Sequence, residues 1–143
     1  MASITAANTI IMLGVTSLYN VPQQLQGYAA DDVFDSDAIS PAEIMMGVDG
    51  VLSAGMVHVP IPQNFTLQAD SASNMLFEAW YASQQAAQDV YFAFGVVQFP
   101  GLNKAYQMSN GVLTSYHPAP DAKKVLQPRK YQITWESIIA APV

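Results

Sequence analysis

Eleven carboxylates, two histidines and no cysteine are the groups in this 143-residue chain that could carry reactive chemistry. Their spacing decides against most of it. Asp31, Asp32, Asp35 and Asp37 crowd into seven positions. A calcium loop needs oxygen ligands at alternating positions, a glycine at the turn and a closing glutamate. Asp35 and Asp37 begin that pattern, but Ile39 stands where a third ligand belongs and the glycine is missing. The expectation is a solvated or subunit-facing loop without metal. His58 and His117 lie near prolines, outside any His-x-x-x-His or Glu-x-x-His array, so metal-ligand spacing is absent. No serine occupies a Gly-x-Ser-x-Gly setting. Gly47-Val48-Asp49-Gly50 lacks the lysine and following Ser/Thr of a phosphate loop, and Asp49-Gly50 reads as a turn with glycine supplying positive φ. The residues therefore specify no catalytic centre, no cofactor site and no metal site, and an enzyme is not expected.

Charge is distributed with unusual asymmetry. Residues 1–103 contain no lysine or arginine but nine carboxylates, a formal −9, while residues 104–143 sum to +3. The five bases are Lys104, Lys123, Lys124, Arg129 and Lys130. Charged residues make up 11% of the chain against 51% hydrophobic, where a soluble domain has about 25% charged. A surface so poor in charge calls for cover by other subunits, the alternative being a small domain with a neutral surface rich in Ser, Gln and Asn. The acidic balance argues against wrapping nucleic acid, which needs clustered bases, though not against letting it slide past. The longest apolar stretch, Val90 to Val97, is broken by Gly95 and falls far short of the ~20 residues of a membrane span. Met1-Ala2-Ser3-Ile4-Thr5 has no basic region before its apolar run, so no secretory signal is expected.

Most segments read as strands of one domain spanning residues 1–143. Ile4 to Val15 is rich in apolar and β-branched residues. Phe65, Leu67 and Ala69 alternate with polar neighbours, the period of a half-buried strand. Pro60 and Pro62 upstream predict an edge or an approach to it. Val90 to Gln98 predicts a strand covered on both faces. Tyr106–Ser109 and Val112–Tyr116 flank Asn110-Gly111, a hairpin signal. Tyr131, Ile133 and Trp135 alternate with polar residues in a closing two-faced strand. One helix breaks the pattern, over about residues 71–87. Ala72, Met75, Leu76, Ala79, Trp80 and Ala87 share its apolar face, and Asp70 or Ser71 is positioned to cap it. Residues 31–41 and 117–128 are the long loops. The fold class is mainly β (α+β), with the helix laid across a sheet.

This arrangement resembles the tail tube proteins of contractile-tailed bacteriophages and related phage-tail-like bacteriocins. The likeness runs through Gly47-Val48-Asp49-Gly50, the strand region 55–69, Ser71-Ala72-Ser73-Asn74-Met75-Leu76 leading to Trp80-Tyr81, and the closing Tyr131–Glu136 strand. It implies an antiparallel β-sandwich or barrel-like tail tube fold with one peripheral helix. It further implies hexameric rings stacked helically into a hollow tube inside a contractile sheath, a structural virion component made in the host cytoplasm. Sheath protein, baseplate and tail terminator proteins would be partners. Tape measure protein and DNA would pass through the lumen without specific binding. The rival readings are a type VI secretion-like tube protein, a head–tail joining or capsid decoration protein, and a monomeric ligand-binding β-sandwich.

The segregation of charge carries a more specific expectation. Asp31, Asp32, Asp35 and Asp37 of one subunit would meet Lys123, Lys124, Arg129 or Lys130 of the next, against the alternative of solvated loop charges worth little individually.

Overall fold

The computed structural model describes residues 9–26 and 34–142. Nine strands and one long helix follow in the order β1 (Ile10–Val15), β2 (Tyr19–Gln24), β3 (Phe34–Ser36), β4 (Ala42–Met46), β5 (Leu52–Met56), β6 (Ile61–Leu67), α1 (Asn74–Ala87), β7 (Ala93–Phe99), β8 (Lys104–Ser115) and β9 (Arg129–Pro142). Seven strands form one sheet in the order β2-β1-β7-β8-β9-β6-β3, while β4 and β5 make a separate hairpin. Every pairing is antiparallel. Among the described residues the two edge strands, β2 and β3, do not pair with each other, and the sheet is not closed into a barrel.

The alternation read from the sequence is realised on the core face. Arg129, Tyr131, Ile133 and Trp135 of β9 are buried, opposite Leu67, Phe65, Gln63 and Ile61 of β6. Ile11, Leu13 and Val15 of β1 join the same cluster as Phe65 and Leu67 of β6, four strands away across the sheet. One core shared by such distant strands requires the sheet to coil, in keeping with the twist of antiparallel strands. Leu76, Phe77 and Trp80 of α1 close the core, with the Phe77 ring stacked on Tyr131 at 4.1 Å between centroids and 5° between planes.

Several local expectations are corrected. Asn110-Gly111 does not turn the chain; it is a bulge within the continuous β8. Between β7 and β8 the register passes from Gly95↔Met108 to Ala93↔Gly111, so one extra residue sits in β8. Asn110 takes the left-handed conformation at φ 51, which asparagine tolerates. Gly111 is required by space, because a Cβ there would lie 2.5 Å from Trp135 Cε3 and 2.8 Å from Ile133 Cγ2. The helical face is also rotated from the expected one: Phe77 is buried and Met75 exposed. Residues 55–69 are not one strand, since β5 ends at Met56 and β6 starts at Ile61.

Pro62 lies inside β6 and not at an edge. The N–H and C=O of a strand residue point to the same side, and the Pro62 carbonyl accepts from Asp37 N–H at 3.3 Å, just beyond the end of β3. The donor that proline lacks would therefore face a place where the sheet has already stopped. Strand β7 alternates buried and half-buried residues, so its cover is unequal on the two faces. The 31–41 segment contains the short β3, and the expected strand portion at residues 4–8 lies outside the described residues.

The helix start is organised by a buried asparagine. Ser73 is the N-cap but makes no side-chain cap bond; instead Ser71 Oγ accepts from Ser73 N–H at 3.2 Å. Asn74 Nδ2 donates to the Gln68 and Ser71 carbonyls at 2.9 and 3.1 Å. Its Oδ1 accepts from the Tyr131 hydroxyl at 2.8 Å. Chain segment and helix are cross-tied where Gln26 N–H donates to Ser73 Oγ at 2.8 Å and Ser71 Oγ donates to the Gln26 carbonyl.

Beside Tyr131 lies the buried guanidinium of Arg129. It donates to Glu78 Oε1 at 2.6 Å, to the His117 carbonyl at 2.8 Å and to the Pro118 carbonyl at 3.3 Å. It also lies 5.4 Å from the Tyr131 ring centroid and 6.0 Å from that of Tyr116. Desolvation pulls its pKa down, but the bond to Glu78 and the nearby charges outweigh that and hold it above the usual arginine value. Burial pushes the Tyr131 phenol well above its ordinary range, against the opposing pull of the Arg129 charge.

Two outcomes follow. Gly111→Val should destabilise the fold by about 1–3 kcal/mol through overpacking against Trp135, while Gly55→Ala, whose Cβ meets nothing within 4 Å, should leave urea unfolding unchanged. The raised Tyr131 pKa means that above about pH 10 the unfolded chain releases a proton the folded chain retains. Its contribution is complete below that pH and declines as pH rises beyond it. Tyr131→Phe should cost about 1 kcal/mol at neutral pH by removing the bond to Asn74 and flatten the alkaline fall in stability, as read by denaturation at stepped pH.

Candidate assembly surface

The strongest candidate for function is a surface rather than a pocket with reactive groups. Among the described residues no group of three or more His, Asp or Glu could hold a metal ion. His117 Nε2 pairs with Asp121 at 3.4 Å, and His58 is exposed. No described helix is long and apolar enough to cross a membrane.

The hairpin β4–β5 stands apart from the core. Its turn is well specified: Gly50 N–H donates to the Gly47 carbonyl at 3.0 Å, and Gly47 N–H to the Val51 carbonyl at 2.9 Å. Asp49 Oδ1 accepts from Val51 N–H at 3.1 Å, and Gly50 holds φ +85, the left-handed region that favours glycine. The strands pair in unbroken register from Ala42↔Met56 to Met46↔Leu52. Every residue from Ala42 to Met56 is exposed. Successive strand residues face opposite sides, yet Ile44, Met45 and Met46 are all apolar and exposed, as are Val48, Val51, Leu52 and Met56. The register gathers Ala42, Ile44, Met46, Leu52, Ala54 and Met56 on one face, wholly apolar and uncovered, with Met56 at 78% exposure, while the other carries Glu43, Ser53 and Gly55 beside Met45 at 75%. A lone two-stranded hairpin is marginal in water, and an apolar patch of this extent marks a contact site. The sequence signal was the run Ile44-Met45-Met46 beside the Gly-x-Asp-Gly turn, which composition alone did not single out.

The expected contact residues divide. Lys123 and Lys124 are exposed in the 117–128 loop and line an open groove with Asp70, Val125 and Leu126. Lys130 is exposed on β9, and Asp35 and Asp37 are exposed at and just after β3. Among the described residues Lys123, Lys124 and Lys130 form no ion pair; the pairs present there are His117–Asp121 and Arg129–Glu78. Arg129 departs from expectation, because at 3% exposure its charge is spent inside its own chain. Asp31 and Asp32 lie outside the described residues. The structure brings none of the described loop acids together with these lysines in one subunit.

In fold, the chain is similar to one in the cryo-EM structure of the anti-feeding prophage tube-terminating cap, with TM-score 0.64 and 13% identity over 100% of this chain and 93% of that one. It is similar, at TM-score 0.64 and 13% identity over 99% and 93%, to a chain of an extracellular contractile injection system, the PVC sheath–tube complex in its extended state. A chain of the anti-feeding prophage baseplate matches at TM-score 0.61 and 8% identity over 100% and 99%. The sequence matches no curated protein. The profile of the family described as tail fiber protein gp32 matches residues 2–139, nearly the whole length, and the chain belongs to that family of tail proteins.

Proposed function

We propose that the chain is the structural subunit of an inner tail tube. Six copies form a ring, rings stack helically, and the hollow product conducts DNA inside a contractile sheath. The observation that carries this reading is the hairpin β4–β5, whose one face is wholly apolar and uncovered in the isolated subunit. Another copy that covers it turns a marginal element into a buried one. Among the described residues β2 and β3 are unpaired edges, which adds to the case, since pairing between copies would remove both. Growth by one surface meeting a different one extends without closing. Likeness in fold to chains of sheath–tube, cap and baseplate structures supports the same class of assembly, and sheath, baseplate and terminator proteins are the partners it suggests. No catalytic activity is part of this reading.

Between subunits, Lys123, Lys124 and Lys130 are proposed to meet Asp37 of a neighbour, with Asp31 and Asp32 on the same acidic segment, while Asp35 is engaged by Asn64 of its own chain. Arg129 has no part in this contact, being held by Glu78. The family description favours a second reading, a subunit of a tail fibre, which would assemble without a lumen.

Negative-stain electron microscopy of the purified protein separates these. Hollow tubes or hexameric rings are expected; filaments without a lumen would favour the fibre, and a uniform monomer at high concentration would sink both. Ile44→Asp combined with Met46→Asp should abolish assembly and leave the circular dichroism spectrum of the monomer unchanged. Lys123→Glu with Lys124→Glu should block polymerisation of a folded monomer. Normal tubes from that variant at both low and high salt would overturn the charge contact.

A further inference from the structure

The sheet face opposite the core carries a hydrogen-bonded chain of side chains across four strands. Thr134 and Thr114 join hydroxyl to hydroxyl at 3.0 Å. Thr114 Oγ1 donates to Gln132 Oε1 at 3.0 Å, Gln132 Nε2 to Asn64 Oδ1 at 3.2 Å, and Asn64 Nδ2 to Asp35 Oδ1 at 2.6 Å. Next to it, Asn110 Nδ2 donates to Glu136 Oε2 at 2.6 Å. The register places these residues on one face: Asp35 opposite Asn64, Asn64 opposite Gln132, and Val112 opposite Thr134, all alternating with the buried set Phe65, Tyr131 and Ile133.

A single carboxylate sets the polarity of this chain. Ionised Asp35 can only accept, so the Asn64 amide must turn its nitrogen toward it and its oxygen toward Gln132. Gln132 then presents its own oxygen to the Thr114 hydroxyl, whose one hydrogen is thereby used, and Thr134 donates to Thr114. One hydrogen of each amide and both hydroxyl hydrogens are directed into the network and toward a carboxylate. Phosphate oxygens bind through donors and cations; here many of the donors are occupied and two carboxylates, Asp35 and Glu136, stand in the same face. Lys130 is the base on this face, at the far end of β9 from Glu136 and opposite Thr66.

We propose that this face, Asp35–Asn64–Gln132–Thr114–Thr134 with Asn110–Glu136, is the wall past which a polyanionic cargo moves. The inference rests on the tube reading and adds to it the identity of the luminal surface and the reason it does not hold its cargo: hydrogen bonds running inward to fixed carboxylates.

The absence of cysteine makes a direct test available. Thr134→Cys, Thr114→Cys and, on the exposed side of α1, Ala82→Cys are assembled into tubes and treated with maleimides. A small maleimide should label all three, whereas one carried on a bulky polyethylene glycol chain should label Cys only in the Ala82 variant. A second arm introduces Asn64→Lys with Thr134→Lys and measures sedimentation of short DNA with tubes. Wild-type tubes should retain none, and the variant should retain it at least about tenfold better at low salt and release it as salt rises. Tubes in which the Thr134 and Thr114 variants both react with the bulky reagent would overturn the assignment while leaving the tube reading intact. Failure of the unsubstituted protein to form tubes would remove both.

Discussion

The buried guanidinium of Arg129 is the point at which sheet, helix and loop are joined. An arginine cannot shed its proton to escape a poorly solvated site, so burying one costs several kcal/mol unless acceptors surround it. Here Glu78 arrives from α1 and two carbonyls from the start of the 117–128 loop, with the tyrosine faces of 116 and 131 alongside. Tyr131, two residues along β9, stacks on Phe77 and donates to Asn74, and Asn74 in turn holds the carbonyls that precede the helix. From one strand end, the position of α1 and the departure of the loop are both determined. The loop that displays Lys123 and Lys124 is thus anchored at its base by a charge that is itself unavailable to partners.

Much of the core was legible because period-two alternation records burial directly. Tyr131, Ile133 and Trp135 announce a strand with one covered face, and they are buried in the order written. The helix was legible as a break in that period, but its face was not, since Met75 and Phe77 are both apolar and only the position of Tyr131 decides which one stacks. Asn110-Gly111 misleads for a similar reason. The dipeptide encodes a left-handed residue, and a bulge requires one as readily as a hairpin turn does. What separates the two is Trp135 lying over Gly111 from the neighbouring strand, a contact between residues 24 positions apart. Arg129 was grouped with the other bases for the same lack of tertiary information: its partner Glu78 is 51 positions away.

The hairpin shows the opposite limit, where the single chain does not satisfy its own sequence. Exposed strands are normally kept soluble by charge or proline. The hairpin instead has Glu43 and Asp49 among seven exposed large apolar residues. Burying such side chains is worth about 25 cal/mol per Å² of apolar surface, and none of that is collected within the described subunit. The low charge content of the whole chain and the apolar character of this one element are therefore the same fact at two scales.

The two faces of the main sheet then divide the work that a self-associating subunit has to do. The core face holds large apolar groups, and its buried polar ones are individually matched, as Trp135 Nε1 is to Gln63 and Tyr131 to Asn74. The other face is covered with short amides and hydroxyls bonded to one another. A flat polar surface usually remains free to bind whatever offers complementary donors and acceptors. Satisfying those groups laterally, along a chain whose direction is fixed by Asp35, removes much of that capacity without making the surface apolar. Such a face attracts neither a second sheet, which would have to break the network, nor a polyanion, which would meet carboxylates. Contact between copies is then left to the elements at the margins of the sheet: its two edges, the hairpin and the lysine-bearing loop.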